Sequence, residues 1–412
     1  MICSVINYMF IAPFVTPIVS PTPVSPYPSV GHKAVEQQQQ LPPSDGSGQY
    51  RYVNYIADYG GCGFWRILWP EMVLNMKGKA FSTSLTAMVF DPSWYQNVKC
   101  VKLQRQVSQS QLEFVKHLKS IQSNFNFKMV YEVDDVIFKE CIPDYNKFKE
   151  AFDKEDIRAN SIEIINLCDE VVVTCDYMRK LYQEKTGKKE ITVIPNFVPK
   201  FWMGDQYDER KIWSAYDKNK KRPRVLYTGS GAHYDIDFKN GGVDDFSHVL
   251  PVVLKTIKKY KWVFVGSFPP PLAPYISSGE IEYHPWQDLL SYPQFISNLN
   301  AQVTIAPLQD NDFNRSKSDI KFVEGCILGV PCLVQDMETY KDVPDKYKFK
   351  TGEDLEERLN TILTKNYYSH ARELRKLGEA RFLENPENIG CHEELLNTPY
   401  GSPERKYLAK WN

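Results

Sequence analysis

The sequence predicts an α/β protein made of two similar halves, each a parallel sheet wrapped by helices. Three observations carry this reading. Short β-rich runs alternate with amphipathic helical patterns along most of the chain, as crossover-connected parallel strands require. The alternation pauses at the polar, basic stretch DKNKKRPR, residues 217–224, and then restarts. Finally, 412 residues exceed what one comfortable core supports, so two domains of ordinary size are expected.

Taken in order, residues 4–19 (SVINYMFIAPFVTPIV) are apolar enough to raise a signal or anchor. They lack a basic leading segment, contain prolines and are short for a membrane span. The proline- and glutamine-rich stretch that follows cannot build a core. Residues 1–48 are therefore expected to be a disordered tail. RYVNYIAD reads as a strand, YGGCGF as a glycine turn, and FWRILWPEMVLNMKG as a helix bent at Pro70. Strands follow at 84–90, 98–103, 128–133, 170–174 and 191–195, with helices clearest at 108–122, 158–168 and 175–186. This gives a first domain over 49–216 and a linker at 217–224. The second domain, 225–365, has strands opening at 224–228 and then at 262–266, 280–284, 302–306 and 331–335. Its helices are expected at 244–259, 287–299, 318–328 and 353–364. A helix at 367–382 opens a C-terminal segment, 366–412, that is expected to cross back to the first domain. Strand ends of two such sheets face one cleft, where α/β proteins bind ligands.

Composition narrows the function classes. With 42% hydrophobic and 25% charged residues the chain reads as a soluble globular protein. A formal charge of −1 removes the simplest argument for nucleic acid, a strongly basic chain. Nine cysteines are scattered without a C-x-x-C pair or zinc spacing, which points to reduced thiols and a cytoplasmic setting. No metal is expected.

Four stretches carry chemistry. In NRSKSDIKFVEGCILGVP (314–331), Lys317, Asp319, Lys321 and Glu324 crowd the start of an otherwise apolar helix. That is where backbone N–H groups point outward and anions bind. Lys317 and Lys321 suit a diphosphate and Glu324 suits ribose hydroxyls; a capped helix with a solvated first turn fits the same residues. YTGSGAH (227–233) follows the first strand of the second half, and the small Gly229 and Ser230 would let a phosphate or sugar approach the backbone; a plain turn is the alternative. GGCGFWR (60–66) is its counterpart in the first half, with Gly61, Gly63 and Arg66; its incomplete G-x-G-x-x-G disfavours a nicotinamide site. YEVDDVIF (131–138) ends a strand with Glu132, Asp134 and Asp135, acids able to bind a metal, take a proton or hold a sugar, or simply to cap the next segment.

In this order the pieces resemble the retaining, nucleotide-sugar-dependent glycosyltransferases of the GT-B fold, over roughly residues 50–385. The resemblance rests on the glycine loop (Gly60, Gly61, Gly63), VIPN at 193–196, YTGS at 227–230, and Glu324 ahead of Gly329 and Pro331. The family often carries two glutamates with seven residues between them at that helix; here the second is Glu324 and the first position is Ser316, which leaves the transferred sugar open. NRSKSDIK with YEVDD also resembles glycosyltransferases of large tailed bacteriophages, whose acceptors include hydroxymethylated DNA bases and glycans. The resemblance implies two Rossmann-like domains facing a central cleft and transfer of a hexose or pentose with retention. The co-substrate implied is a nucleotide-diphosphate sugar, a UDP-sugar first among them, with no tightly bound cofactor and no metal. It places the donor on Gly229, Ser230, His284, Trp286, Lys317, Lys321 and Glu324. The acceptor falls to Gly61, Gly63, Arg66 and Arg105. Asp134, Lys321 and Glu324 stand nearest the chemistry. A sugar-nucleotide epimerase of the same fold, or a nucleotide- or glycan-binding protein without activity, are the rivals.

Overall fold

The computed structural model describes residues 51–78, 81–237, 239–364 and 366–410; the tail expected at 1–48 lies outside them. Two six-stranded parallel sheets form the two domains of a GT-B arrangement. The first contains β1 (Arg51–Tyr55), β2 (Phe81–Leu85), β3 (Val98–Gln104), β4 (Lys128–Glu132), β5 (Glu170–Val173) and β6 (Ile191–Val193), in the order β2-β1-β3-β4-β5-β6. The second contains β7 (Arg224–Gly229), β8 (Lys261–Gly266), β9 (Glu282–Pro285), β10 (Val303–Ala306), β11 (Cys332–Gln335) and β12 (Lys348–Phe349), in the order β12-β11-β10-β7-β8-β9. Central strands such as β5, EVVV, are buried on every residue, the signature of a sheet covered on both faces.

The principal helices are α1 (Trp69–Met76), α2 (Gln109–Phe125), α3 (Glu155–Leu167), α4 (Asp176–Thr186), α5 (Glu209–Asn219), α6 (Leu250–Thr256), α7 (Tyr292–Asn298), α8 (Ile320–Leu328), α9 (Gly352–Thr364), α10 (Tyr367–Glu379) and α11 (Pro386–Asn397). Local chemistry sets their ends. Ser108 and Gln111 close a capping box on α2, and Asn126 ends it in the left-handed region. Gly329, at φ 66°, ends α8 the same way.

Several expected elements move, each for a physical reason. The strand expected at 84–90 is β2, which ends at Leu85 because β1, its one partner among the described residues, ends opposite it at Tyr55. The turn expected at YGGCGF already starts a helix at Gly61, and a π-helical stretch, Phe64–Leu68, leads into α1. Pro70 has no N–H to continue an α-helical ladder, and the wider turn precedes it. The helix expected at 244–259 is reduced to α6, because the Asp244 carboxylate accepts the Phe246 N–H while the Asp244 N–H donates to Ser247 Oγ and its carbonyl accepts the Ser247 hydroxyl, closing a local loop. The stretch 217–224 is the end of α5, a turn, and the first residue of β7.

The two halves meet in a shared apolar core. Trp65, Trp69 and Trp202 cluster with ring centroids 4.4–5.5 Å apart, and Tyr292 of α7 stacks on Trp202 at 6.2 Å. After α10 the chain returns to the first sheet. Val198 pairs with Phe382, Lys128 donates to the carbonyls of Leu395 and Thr398, and Arg405 binds Glu170.

Candidate functional site: a cationic cluster in the cleft

The strand ends of the second sheet deliver small residues to the cleft. Gly266 has φ +91°, and a Cβ there would stand 2.6 Å from the Gly229 carbonyl and 3.1 Å from the Trp286 ring. Only glycine fits, so β7, β8 and the Trp286 loop close on one another. Ser230 follows, its Oγ accepting the Ala232 N–H and its carbonyl accepting the His233 N–H. His284 lies on β9 with Nε2 2.9 Å from Glu282.

Across from this turn stands the start of α8. Lys321 places its ammonium 4.5 Å from the Tyr227 ring centroid and 3.5 Å from the Tyr227 hydroxyl. Burial and the neighbouring Lys317 push its pKa down to about 7, against the pull of Asp245 and Glu324. Lys317 lies 3.5 Å from His233 Nε2. Glu324 is 5% exposed; its Oε2 accepts from the Tyr292 hydroxyl at 3.0 Å, while Oε1 has no hydrogen bond. Burial raises this carboxyl above its ordinary range, though Tyr292 and Lys321 oppose that. Ser316, at the position of the first glutamate of the two-glutamate pattern, is buried and donates to the Asp312 carbonyl.

Residues outside the sequence-based set complete the cluster. His233 is 2% exposed, and its Nδ1 lies 2.6 Å from Asp245 Oδ2. Asp245 Oδ1 accepts from the Tyr145 hydroxyl at 2.6 Å, from Asn314 Nδ2 at 2.6 Å and from the Gln309 N–H at 2.8 Å. Tyr145 belongs to the first half, so the network spans the cleft. His233 sat inside a quoted motif; Tyr145 and Asp245, 100 positions apart, carried no pattern a sequence could show.

The first half contributes acids. Asp134 is fully covered, neither of its oxygens makes a hydrogen bond, and Arg105 Nε is 3.8 Å away. Arg105 also pairs with Asp58, which in turn accepts the Gly60 N–H at 2.7 Å and so ties the glycine loop to this group. A Cβ on Gly63 would overlap the Asp58 carbonyl, which explains that glycine by packing; Gly61 is buried in the same helix start. Asp135 feels Lys317 from across the cleft. Burial and Asp134 raise its carboxyl to about 6, against Lys317 and Arg105.

Arg66 has a different position from the one expected of an acceptor ligand. It is 2% exposed and donates to Glu132 at 2.6 Å, the Ile194 carbonyl at 2.8 Å and Asn196 Oδ1 at 2.9 Å. It ties the ends of β4 and β6 together beneath the cleft. The expected acid trio is thereby split: Glu132 serves Arg66, Asp134 is enclosed beside Arg105, and Asp135 feels Lys317.

Among the described residues no group of three or more His, Cys, Asp or Glu side chains is placed to hold a metal ion. No helix among them is long and apolar enough to cross a membrane. A cavity of about 620 Å³ opens beside Gln309, between Tyr177 of the first half and His248, Arg315 and Gln335 of the second.

No protein-family model matches the sequence. No curated protein sequence matches it. Solved structures do share its fold. Anabaena Alr3699/HepE in complex with UDP superposes with a TM-score of 0.56 at 10% identity, over 85% of this chain and 100% of that one. A glycosyltransferase from Rickettsia africae gives 0.55 at 13% identity, over 85% and 99%. The E. coli trehalose-6-phosphate structure bound with UDP-2-fluoro glucose gives 0.51 at 9% identity, over 84% and 99%. The likeness covers both sheets, and it establishes a shared GT-B architecture.

Proposed function

We propose that this chain is a glycosyltransferase that takes a sugar from a nucleoside-diphosphate donor and passes it to a hydroxyl acceptor with retention of configuration. The observation that carries the reading is the pairing of two lysines with a buried, half-satisfied glutamate at the start of α8. Packing two cations together costs free energy in an empty protein, and an anionic ligand offsets it. A buried carboxylate oxygen without a donor calls for one, and a ribose hydroxyl supplies it. Fold neighbours crystallised with UDP or a UDP-sugar support a UDP-sugar as donor.

In this reading Lys317, Lys321 and the first N–H groups of α8 hold the diphosphate and stabilise the charge that develops as it leaves. Glu324, held by Tyr292, takes the ribose, and Trp286 with His284 flanks the base. Gly229 and Ser230 admit the phosphates to the backbone. Asp134, with Arg105 behind it, orients the transferred sugar, a hexose or pentose. The acceptor enters over the glycine loop at Gly61 and Gly63. The leaving phosphate itself helps to deprotonate the acceptor, so no dedicated base is needed.

The test is a panel of nucleotide-sugars, each incubated alone, with glycans and with DNA containing hydroxymethylated bases, followed by mass spectrometry of the products. A mass increase of one sugar on an acceptor supports transfer. Conversion of the donor to its epimer with no acceptor present replaces it with the epimerase reading, and binding without turnover makes the chain a nucleotide-binding protein.

A further inference from the structure

Resting on that donor reading, we propose that His233 is a further ligand of the diphosphate and that it takes up a proton when the diphosphate binds. The geometry begins at Asp245. Its oxygens accept from Tyr145, Asn314 and Gln309, and the remaining partner is His233 Nδ1 at 2.6 Å. An ionised carboxylate only accepts, so the imidazole hydrogen sits on Nδ1. Nε2 keeps its lone pair, which accepts from the Lys317 ammonium at 3.5 Å until an anion competes for that ammonium.

An anion drawn to Lys317 and Lys321 arrives at the same place. It would meet the Nε2 lone pair, which repels it, unless a proton from solvent joins Nε2 and turns the contact into a charge-assisted hydrogen bond. Asp245 already lies behind the ring to stabilise the resulting imidazolium. The charged groups facing the ring are Asp245, ahead of α6, and Lys317 and Lys321, at α8; Tyr145 reaches it through Asp245, and Asp135 acts on Lys317 from the first half. Without the anion, burial and the two lysines hold His233 neutral, with its pKa down to about 3 despite Asp245. Two phosphate charges reverse the sign of that field.

The experiment is titration calorimetry with UDP-glucose, GDP-mannose and ADP-glucose, whose diphosphates carry no group titrating near neutrality. Each is run in two buffers of different ionisation enthalpy. At about pH 6 Lys321 is already mostly protonated, and Asp135 can take up no more than about half a proton. The variant Asp135→Asn removes that contribution, and its uptake on binding should remain above about half a proton. His233→Asn keeps an amide donor for Asp245 and should lose that uptake. A buffer-independent enthalpy in Asp135→Asn overturns the inference, as does equal uptake in wild type and His233→Asn. Binding in either case leaves the donor reading standing; if none of the three nucleotide-sugars binds the folded wild type, the donor reading fails and this inference with it.

Discussion

Glu324 is 5% exposed, raised above the usual carboxylate range, and leaves one oxygen without a hydrogen bond. Such a group costs free energy, and a ligand hydroxyl that donates to the open oxygen would recover it. Glu324→Gln keeps the shape and replaces a charge-assisted hydrogen bond by a neutral one, a loss of about 1–2 kcal/mol, or roughly five- to thirtyfold in donor affinity. Thermal unfolding should change little, and unchanged affinity in the folded variant would remove the ribose assignment. Lys321 makes a second residue-level prediction. Its pKa is lowered to about 7, so its charge is complete below that pH and lost as pH rises through it. Donor affinity should therefore weaken about tenfold per pH unit above about 7. Lys321→Arg, whose guanidinium does not titrate, should flatten that limb in a pH series of dissociation constants. If the limb persists, another group sets it.

Among the elements, a packed route joins the two halves to the Glu324 carboxylate. Trp69 meets Trp202, Trp202 stacks on Tyr292, and Tyr292 bonds Glu324. Trp202 also donates to the Leu289 carbonyl at 2.9 Å. Trp202→Ala should cost about 3–5 kcal/mol in urea denaturation and also weaken donor binding, because Tyr292 loses its backing. A stability loss with donor affinity intact would show that this core holds the fold without positioning the site. A second clamp sits at the α8 start, where Arg381 binds Asp319 and the Asn196 carbonyl while Asn196 donates to Ser318. Much of this scaffold was legible in the sequence. A run such as EVVVT is too β-branched and apolar for anything but a covered strand. What escaped depended on partners far along the chain. The end of β2 is set by the length of β1, and the loss of helix before α6 by the loop that aims Asp245 at His233. The acids at YEVDD were visible as a group, but nothing local said that Glu132 would turn to Arg66, Asp134 to Arg105, and Asp135 toward Lys317.

For the whole molecule, the proposed chemistry lies between the glycine loop and the start of α8, in a cleft formed by both sheets. A chain beginning near Gln49 should stay folded and keep its turnover on a small acceptor, because residues 1–48 offer no periodic apolar face to bury. A folded but inactive truncation would bring that segment into the site. Activity should also survive EDTA if, as proposed, lysines and helix N–H groups do the work that a divalent ion does in metal-dependent transferases. Complete, metal-reversible loss would recast Asp134 and Asp135 as ligands. The central claim is that the cluster around Lys317, Lys321 and Glu324 holds a nucleoside-diphosphate sugar. It is tested most directly by equilibrium titration of nucleotide-sugars against the wild-type protein and a folded Lys317→Ala, Lys321→Ala double variant. The account predicts saturable binding of at least one nucleotide-sugar by the wild type, and a loss of about a hundredfold or more in the double variant. Equal affinity in the two proteins would contradict it.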